Sequence, residues 1–126
     1  MSALDKLSFS HGGLVVASSH EGERMTSVLA GTAELAIRDR LPVLLADIHS
    51  HALELGVREV VVDLQGLEFM NSSCFKSFVT WITDVQELVA DRQYRIHIKS
   101  NPKILWQRRS VHALRCFAPN LIAVET

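Results

Sequence analysis

Residues 59–64, with the sequence EVVVDL, constrain the fold of this chain more than any other stretch. The segment is nearly all apolar and rich in β-branched side chains, which is typical of a strand that is covered on both faces. Such a strand lies in the interior of a sheet, and in α/β proteins helices provide the cover. The sequence therefore predicts an α/β fold with residues 59–64 as a central strand.

A loop and a helix with a polar first turn follow this strand. Residues 66–71 (GLEFMN) predict the loop, and residues 72–90 predict the helix, whose start carries Asn71, Ser72 and Ser73. Backbone N–H groups in a first turn lack intrahelical partners, and the helix dipole favours negative charge there. A phosphate on one of the hydroxyls would be well tolerated and would add about two negative charges. The alternative is that Asn71 or Ser72 serves only as the helix cap.

The remaining chain alternates strand and helix patterns. Residues 31–40 fit either a loop or a short helical turn, and residues 19–23 read as a turn. The predicted strands are residues 14–18, 25–30, 59–64, 94–98 (half-exposed or at an edge) and a short 121–124. The predicted helices run from about Leu41 to Gly56, from Ser72 to Ala90, and from Pro102, with Asn101 as cap, to about Cys116.

The resulting order, β-β-α-β-α-β-α-(β), predicts a mixed β-sheet with helices packed on it. Right-handed crossovers make the strands at residues 59–64 and 94–98 parallel neighbours. Trp81 lies off the centre of the apolar stripe predicted for the second helix. That stripe contains Phe75, Phe78, Val79, Ile82, Val85 and Val89.

Length and composition limit the classes of protein to consider. The 126 residues fit one domain, residues 1–126, with 48% hydrophobic content and no apolar run of about 18 residues that could span a membrane. The first residues lack the layout of a signal peptide. Cys74 and Cys116 form no disulfide or metal-binding pattern, so we expect reduced thiols in a cytoplasmic protein.

The charge is unevenly distributed along the chain. Residues 1–91 contain 6 Lys/Arg and 13 Asp/Glu, a net charge of −7, whereas residues 92–126 contain 7 Lys/Arg and 1 Asp/Glu, a net charge of +6. Such asymmetry can mark a nucleic-acid or membrane surface. The basic residues are dispersed with few aromatics among them, unlike a nucleic-acid stacking surface. We therefore expect no nucleic-acid partner, and expect folding to place the basic end beside the acidic end.

The segment VVVDLQGLEFMNSSCF, residues 60–75, resembles the signature of the STAS domain, which anti-sigma factor antagonists and sulfate transporter tails share. In that family an apolar strand ending in Asp-Leu precedes a loop that ends in Asp-Ser-Ser-Gly or Asp-Ser-Thr-Gly. Residues 31–34 (GTAE) fall where the family usually has Gly-x-Leu-Asp, and residues 100–102 (SNP) where it often has an Asn-Pro step. The element order is also similar, so the resemblance covers about residues 13–124.

The resemblance implies a STAS-like α/β domain that binds proteins, is not an enzyme and needs no cofactor. In the antagonist branch, which regulates bacterial transcription, a serine kinase that is also an anti-sigma factor phosphorylates the second hydroxyl of the serine pair. A PP2C-type phosphatase reverses the reaction. Here that residue is Ser73, with Ser72 as its neighbour. The partner-binding residues implied are Glu34, Glu68, Phe69, Met70, Asn71, Ser72, Ser73, Cys74 and Lys76.

The chain diverges from the family at the phosphorylation motif. Asn71 and Glu34 stand where the family has Asp, and Cys74-Phe75 replaces Gly-Leu. Asn71 keeps the ability to cap a helix but carries no charge. The alternative function is therefore a constitutive, non-phosphorylated STAS scaffold, or the small cytoplasmic subunit of a signalling or lipid-transport complex. Weak homodimerisation and binding of a nucleotide or anion near the serines and the basic C-terminal part are further hypotheses.

Other chemistry is less well supported by the sequence. His49 and His51 are two positions apart on a helix and point to different sides, so we expect no metal site. Cys74 lies in a first helical turn, where a thiol pKa can be lowered, but a packed small residue is the preferred interpretation. A triad of Ser73, a histidine and Asp63 is conceivable. We prefer the interpretation that Asp63 braces the loop after its strand, and we expect no catalytic residues.

Overall fold

One six-stranded sheet organises residues 7–126, the part of the chain that this computed structural model describes. The strands lie in chain order; β1–β3 pair antiparallel and β3–β6 pair parallel. The strands are β1 Phe9–His11, β2 Leu14–Glu21, β3 Arg24–Ala33, β4 Glu59–Met70, β5 Arg95–Lys99 and β6 Ile122–Glu125. The helices are α1 Arg40–Leu55, α2 Ser72–Gln86 and α3 Leu105–Phe117, with short 3-10 turns at Leu35–Ile37 and Ala90–Arg92. The mixed α/β sheet and the parallel pairing of β4 with β5 are confirmed.

All three helices pack on one face of this sheet. The core joins inward residues of the strands, among them Val60 and Val62 of β4, to apolar residues of α1, α2 and α3. The opposite face of the antiparallel part is open, and Val15 there is 50% exposed. Val61 also points to this face, where it is buried between Thr26 and His97 of the adjacent strands. β4 is central as predicted, but side chains of neighbouring strands, rather than helices, cover its second face.

Strand β4 has 12 residues, twice the length of its apolar run. The loop predicted at residues 66–71 is therefore wrong for residues 66–70, which belong to the strand. β3 continues to Ala33, and β4 keeps pairing with it across two irregularities that align Ala30 with Gly66 and Ala33 with Met70. A Cβ at Gly66 would already lie 3.2 Å from the Ala30 Cβ. The backbone pairing with β3 therefore fixes this segment as a strand although its side chains lack a strand pattern.

The N-terminal hairpins are tighter than predicted. The predicted turn at residues 19–23 shrinks to Gly22 and Glu23, because β2 and β3 stay paired up to Glu21 and Arg24. β1, which was not predicted, is added through a second two-residue turn. Residues 31–40 divide into the end of β3, the 3-10 turn and the start of α1, so the short helical turn is the correct alternative.

Two predicted helix ends are also wrong. α2 ends at Gln86 rather than Ala90, which leaves Val89 69% exposed, because the Gln93 side chain donates to the carbonyls of Gln86 and Leu88. α3 begins at Leu105 rather than Pro102. Asn101 forms a turn instead of a helix cap, since its carbonyl accepts from the Ile104 N–H and its side chain accepts from the Lys103 N–H.

β5 is flanked by β4 and β6 and therefore is not an edge strand, although its burial alternates as a half-exposed strand requires.

The adjoining Tyr94 binds Trp81, which is buried rather than off the apolar face of α2. Trp81 Nε1 donates to the Tyr94 hydroxyl at 2.7 Å, and that hydroxyl lies 2.6 Å from His49 Nδ1. An indole can only donate, so the Tyr94 hydroxyl accepts from Trp81, and the same hydroxyl forms a hydrogen bond with the His49 imidazole. This chain of hydrogen bonds ties α1, α2 and β5 together.

The backbone at Gly31 predicts a severe effect of a single methyl group. Gly31 has φ +94°, and a Cβ there would lie 2.1 Å from the carbonyl oxygen of Gly13. We expect Gly31→Ala to lower the free energy of unfolding by more than about 3 kcal/mol, measured by urea denaturation. Gly22→Ala is the control, because Gly22 also has a positive φ but has open space around it; it should cost about 1 kcal/mol. Equal losses would contradict the close contact.

The buried hydrogen-bond chain predicts a pH dependence of stability. Burial lowers the pKa of His49 from 6.5, with Asp84 opposing and Arg92 reinforcing the shift. The unfolded chain therefore binds a proton that the native protein excludes, and the free energy of unfolding falls as the pH drops below 6.5. Urea denaturation between pH 7 and about pH 5 should show a steeper decline for wild type than for His49→Gln. Parallel declines would contradict the assignment.

Candidate functional site at the N-terminal end of helix α2

Asn71 is the N-cap of α2. Its backbone is extended, with φ −79° and ψ 162°, and its Oδ1 accepts from the N–H groups of Ser73 at 2.9 Å and Cys74 at 3.2 Å. Its carbonyl accepts the first helical hydrogen bond from the Phe75 N–H. Of the two predicted cap candidates, Asn71 is correct and Ser72 is not.

Because the Asn71 side chain caps the helix, neither serine hydroxyl is needed for capping. Ser72 is exposed and Ser73 is half-buried. Neither hydroxyl has a hydrogen-bond partner within residues 7–126; the Ser73 carbonyl, by contrast, accepts from the Ser77 hydroxyl at 3.4 Å. The first turn therefore presents two free hydroxyls beside unpaired backbone N–H groups.

The end of β3 holds this turn in place. The Asn71 N–H donates to the Ala33 carbonyl at 2.9 Å, which continues the pairing of Ala33 with Met70. Glu34 follows directly and is exposed; its carboxylate accepts from the Thr32 hydroxyl at 3.3 Å. The structure therefore brings Glu34 close to the strand end that leads into the serine pair, although Glu34 and Met70 are 36 positions apart in sequence.

The other predicted partner-binding residues divide into exposed and buried groups. Glu68 and Phe69 are exposed on β4, Met70 is half-buried at its end, and Lys76 is exposed on α2. Cys74 is 0% exposed, so its prediction as a contact residue is wrong. It lies at the third position of α2, which faces the core.

Burial raises the pKa of the Cys74 thiol. A reactive cysteine at a helix N-terminus would instead show a lowered pKa and an accessible sulfur. The interpretation of Cys74 as a packed small residue is therefore confirmed, and the redox switch is not supported.

A groove next to the serines contains residues that the sequence did not indicate. It has a volume of about 420 Å³ and is lined by Met70, Ser72 and Phe75 on one side and by Arg109, Ser110 and Ala113 of α3 on the other. Arg109 thus places a fixed positive charge in the same groove as the Ser72 side chain. The basic composition of the C-terminal part was the only sequence signal for a positive charge such as Arg109. Its place beside α2 could not be predicted, since β5 lies between α2 and α3 in the chain.

β5, in the basic C-terminal part, lies beside β4 of the acidic part, with His97 3.6 Å from Glu59, but this proximity gives the lysines and arginines of residues 92–126 no close ion pair within the described part of the chain. No Lys or Arg of residues 92–126 has a carboxylate within 4.0 Å among the residues that the structure describes. The arginine ion pairs are Arg24–Glu59, Arg38–Asp39 and Arg58–Glu23, all within the first part of the chain. α3 therefore presents the uncompensated charges of Arg108, Arg109 and Arg115.

The hydrogen bonds of Asp63 and the histidines do not form a catalytic triad. Asp63 Oδ1 accepts from the Gln65 N–H at 3.0 Å, which confirms that Asp63 braces the backbone after it. His49 binds Tyr94 while His51 binds the Asp47 carbonyl, so these two histidines point apart as predicted.

Across residues 7–126 no histidine contacts Ser73 and no three potential ligands converge on a metal position. Within the same range, every helix is too short or too polar to cross a membrane.

Comparison with known proteins places the fold. No family model and no curated protein matches the sequence. An anti-sigma factor antagonist from Mycobacterium paratuberculosis has a similar structure, with a TM-score of 0.62, 11% identity, and 84% of this chain and 83% of that chain covered. The anti-sigma factor antagonist SpoIIAA in its unphosphorylated form gives a TM-score of 0.57 and 14% identity, with 89% of each chain covered. A crystal structure of Mglu gives a TM-score of 0.52 and 19% identity, and the match covers 70% of this chain and 20% of that chain. The chain therefore has the STAS-like fold.

The cap geometry predicts which substitution weakens the site. Asn71→Ala removes the acceptor for two N–H groups and should lower the free energy of unfolding by about 1 kcal/mol. Asn71→Asp keeps the acceptor and adds a charge that the helix dipole favours, so its stability should stay within about 0.5 kcal/mol of wild type. Urea denaturation of both variants tests this. A loss in Asn71→Asp equal to that in Asn71→Ala would show that the side chain does not act as a cap.

Proposed function

We propose that this STAS-like protein is a regulator that acts by binding other proteins through the N-terminal end of α2, in the manner of an anti-sigma factor antagonist. The observation that carries the proposal is the pair of hydroxyls, Ser72 and Ser73, without structural partners on a helix that Asn71 already caps. Within the STAS-like fold, reversible phosphorylation at Ser73 then controls which partner is bound.

The proposed binding surface surrounds the two serines and combines apolar and charged groups. Phe69 is 45% exposed and offers a large apolar side chain for a protein contact next to the serines. Cys74 is omitted because it is buried, and the groove residues Phe75 and Arg109 are added. The surface therefore comprises Glu34, Glu68, Phe69, Met70, Asn71, Ser72, Ser73, Phe75, Lys76 and Arg109.

Phosphorylation would change this surface through charge and hydration. A phosphate on Ser73 adds about two negative charges to a half-buried position that a bound partner would cover. The helix N-terminus tolerates these charges in the free protein, whereas a partner surface would have to lose hydration to meet them. The free state is then favoured over the complex, which is the requirement for a switch.

The proposed partners are a serine kinase that resembles an anti-sigma factor ATPase and a PP2C-type phosphatase, acting together in the cytoplasm on a single-domain, non-enzymatic regulator. Asn71 bears on how the kinase recognises its substrate. It supplies the cap that the family's Asp would supply, but without a negative charge beside Ser73. A kinase for this chain must therefore tolerate a neutral residue at that position.

Phosphorylation by the cognate kinase is the direct test. With the kinase and ATP, mass spectrometry should find one phosphate on wild type and on Ser72→Ala, at Ser73, and none on Ser73→Ala. Absence of phosphate at Ser73 in wild type would remove the switch and leave the constitutive scaffold or transporter-subunit alternative.

A binding measurement with the same kinase completes this test. Ser73→Asp should lose affinity for the kinase, whereas Ser73→Ala should keep it. Thr80→Asp is the control, because it places the same charge at an exposed position of α2 two turns away. If Ser73→Asp and Thr80→Asp bind as wild type does, phosphate at Ser73 does not govern the contact.

A further inference from the structure

A second, smaller cavity lies on the other side of α3, at the carboxyl ends of β5 and β6. Its volume is about 220 Å³, and its polar lining comes from Ser100, Asn101, Arg108, His112, Arg115 and Thr126. Ser100 and Thr126 follow directly after the two parallel strands. Ligands of open α/β sheets bind in crevices outside the carboxyl ends of parallel strands, because loops and helix starts converge there.

Three basic side chains of α3 line this crevice. Arg108, His112 and Arg115 are spaced by four and three positions, which puts them on one stripe of the helix. The two guanidinium groups are charged at all relevant pH values, and neither has a carboxylate within 4.0 Å among residues 7–126. The nearby Glu125 is bound to His97 at 2.9 Å. Two guanidinium groups without a close ion-pair partner in the described residues therefore line the crevice.

Ser100 contributes a free hydroxyl to the lining of the crevice. It is only 5% exposed, it lines the crevice, and its hydroxyl has no hydrogen-bond partner in the described part of the chain. Within residues 7–126 only Trp106 Nε1 is a fully buried side-chain polar atom without a partner, so the Ser100 hydroxyl reaches the open crevice rather than being buried and unsatisfied. It is free to donate a hydrogen bond to an oxygen of a bound ligand.

The floor beneath the crevice is rigid. The buried Gln107 side chain donates to the carbonyls of Leu64 at 2.6 Å and Leu67 at 2.9 Å, and its Oε1 accepts from the Asn101 N–H at 2.8 Å. These bonds tie α3 to β4 and to the segment after β5. The basic stripe is consequently held at a fixed position relative to Ser100, as a preformed site requires.

We infer that this crevice binds a small molecule that carries a phosphate monoester. Arg108 and Arg115 offer planar forks that match phosphate oxygens, and the Ser100 hydroxyl can donate to a third oxygen. Val111 and Val124 provide an apolar wall for a short organic group. The volume is below the range of about 300–1,000 Å³ of typical ligand pockets, so the site suits a short phosphorylated compound rather than a whole nucleotide. The site is independent of Ser73 and the proposed switch.

The test is a titration of the ¹⁵N-labelled protein, followed by NMR, with inorganic phosphate and with phenyl phosphate at constant ionic strength. We expect saturable shifts centred on Ser100, Asn101 and His112, with phenyl phosphate binding more tightly and a Kd of about 1 mM or below. Arg108→Gln and Arg115→Gln should each weaken binding about tenfold, since each removes a charge-assisted contact.

Two further variants separate a built site from general attraction to a basic helix. Ser100→Ala keeps every charge, and should weaken binding because it removes the unpartnered hydroxyl. Arg109→Gln removes an equal charge from the groove on the α2 side of the same helix, and should change the Kd by less than about twofold. Shifts that do not saturate, or a loss in Arg109→Gln equal to that in Arg115→Gln, would overturn the proposal. Unchanged spectra away from the crevice establish that each variant is folded.

Discussion

The parallel pairing of β3 with β4 is the interaction on which the other features depend. It runs from Arg24 and Glu59 at one end to Ala33 and Met70 at the other, and it continues as the hydrogen bond between Asn71 and Ala33. Without this extension, α2 would begin on a free loop. With it, the first turn of α2, which carries the exposed Ser72 and the half-buried Ser73, is fixed against the end of β3.

The regular elements were predictable where burial alone decides them. Side-chain type and spacing were enough to predict the valine run of β4, the apolar stripe of α2 and the end of α1 at Gly56. The central position of β4 and its parallel partner followed from the same pattern. Half of β4 was not predictable, because residues 65–70 are strand only through backbone bonds to β3, and those bonds leave no side-chain signature.

The candidate site was likewise predictable only in part from the sequence. The cap and the two serines could be found from the sequence, since short polar side chains before an apolar helix have few other uses. The burial of Cys74 and the presence of Arg109 could not. They depend on how α2 turns its faces toward the core and toward α3, which is decided by packing between segments far apart in the chain. The positive charge of α3 could be read from the sequence, but only the structure shows that no carboxylate of residues 7–91 lies within 4.0 Å of its arginines.

The order of the strands has a consequence for how the molecule forms. Each strand of the sheet pairs with the strand that precedes it in the chain, from β1 through β6, and no later strand is inserted between two earlier ones. The two antiparallel hairpins close through two-residue turns at a small entropy cost, whereas each parallel pairing closes a longer loop that contains a helix and forms more slowly. The sheet can therefore grow from its N-terminal hairpin as the ribosome releases successive strands, with α3 and β6 completing the core last.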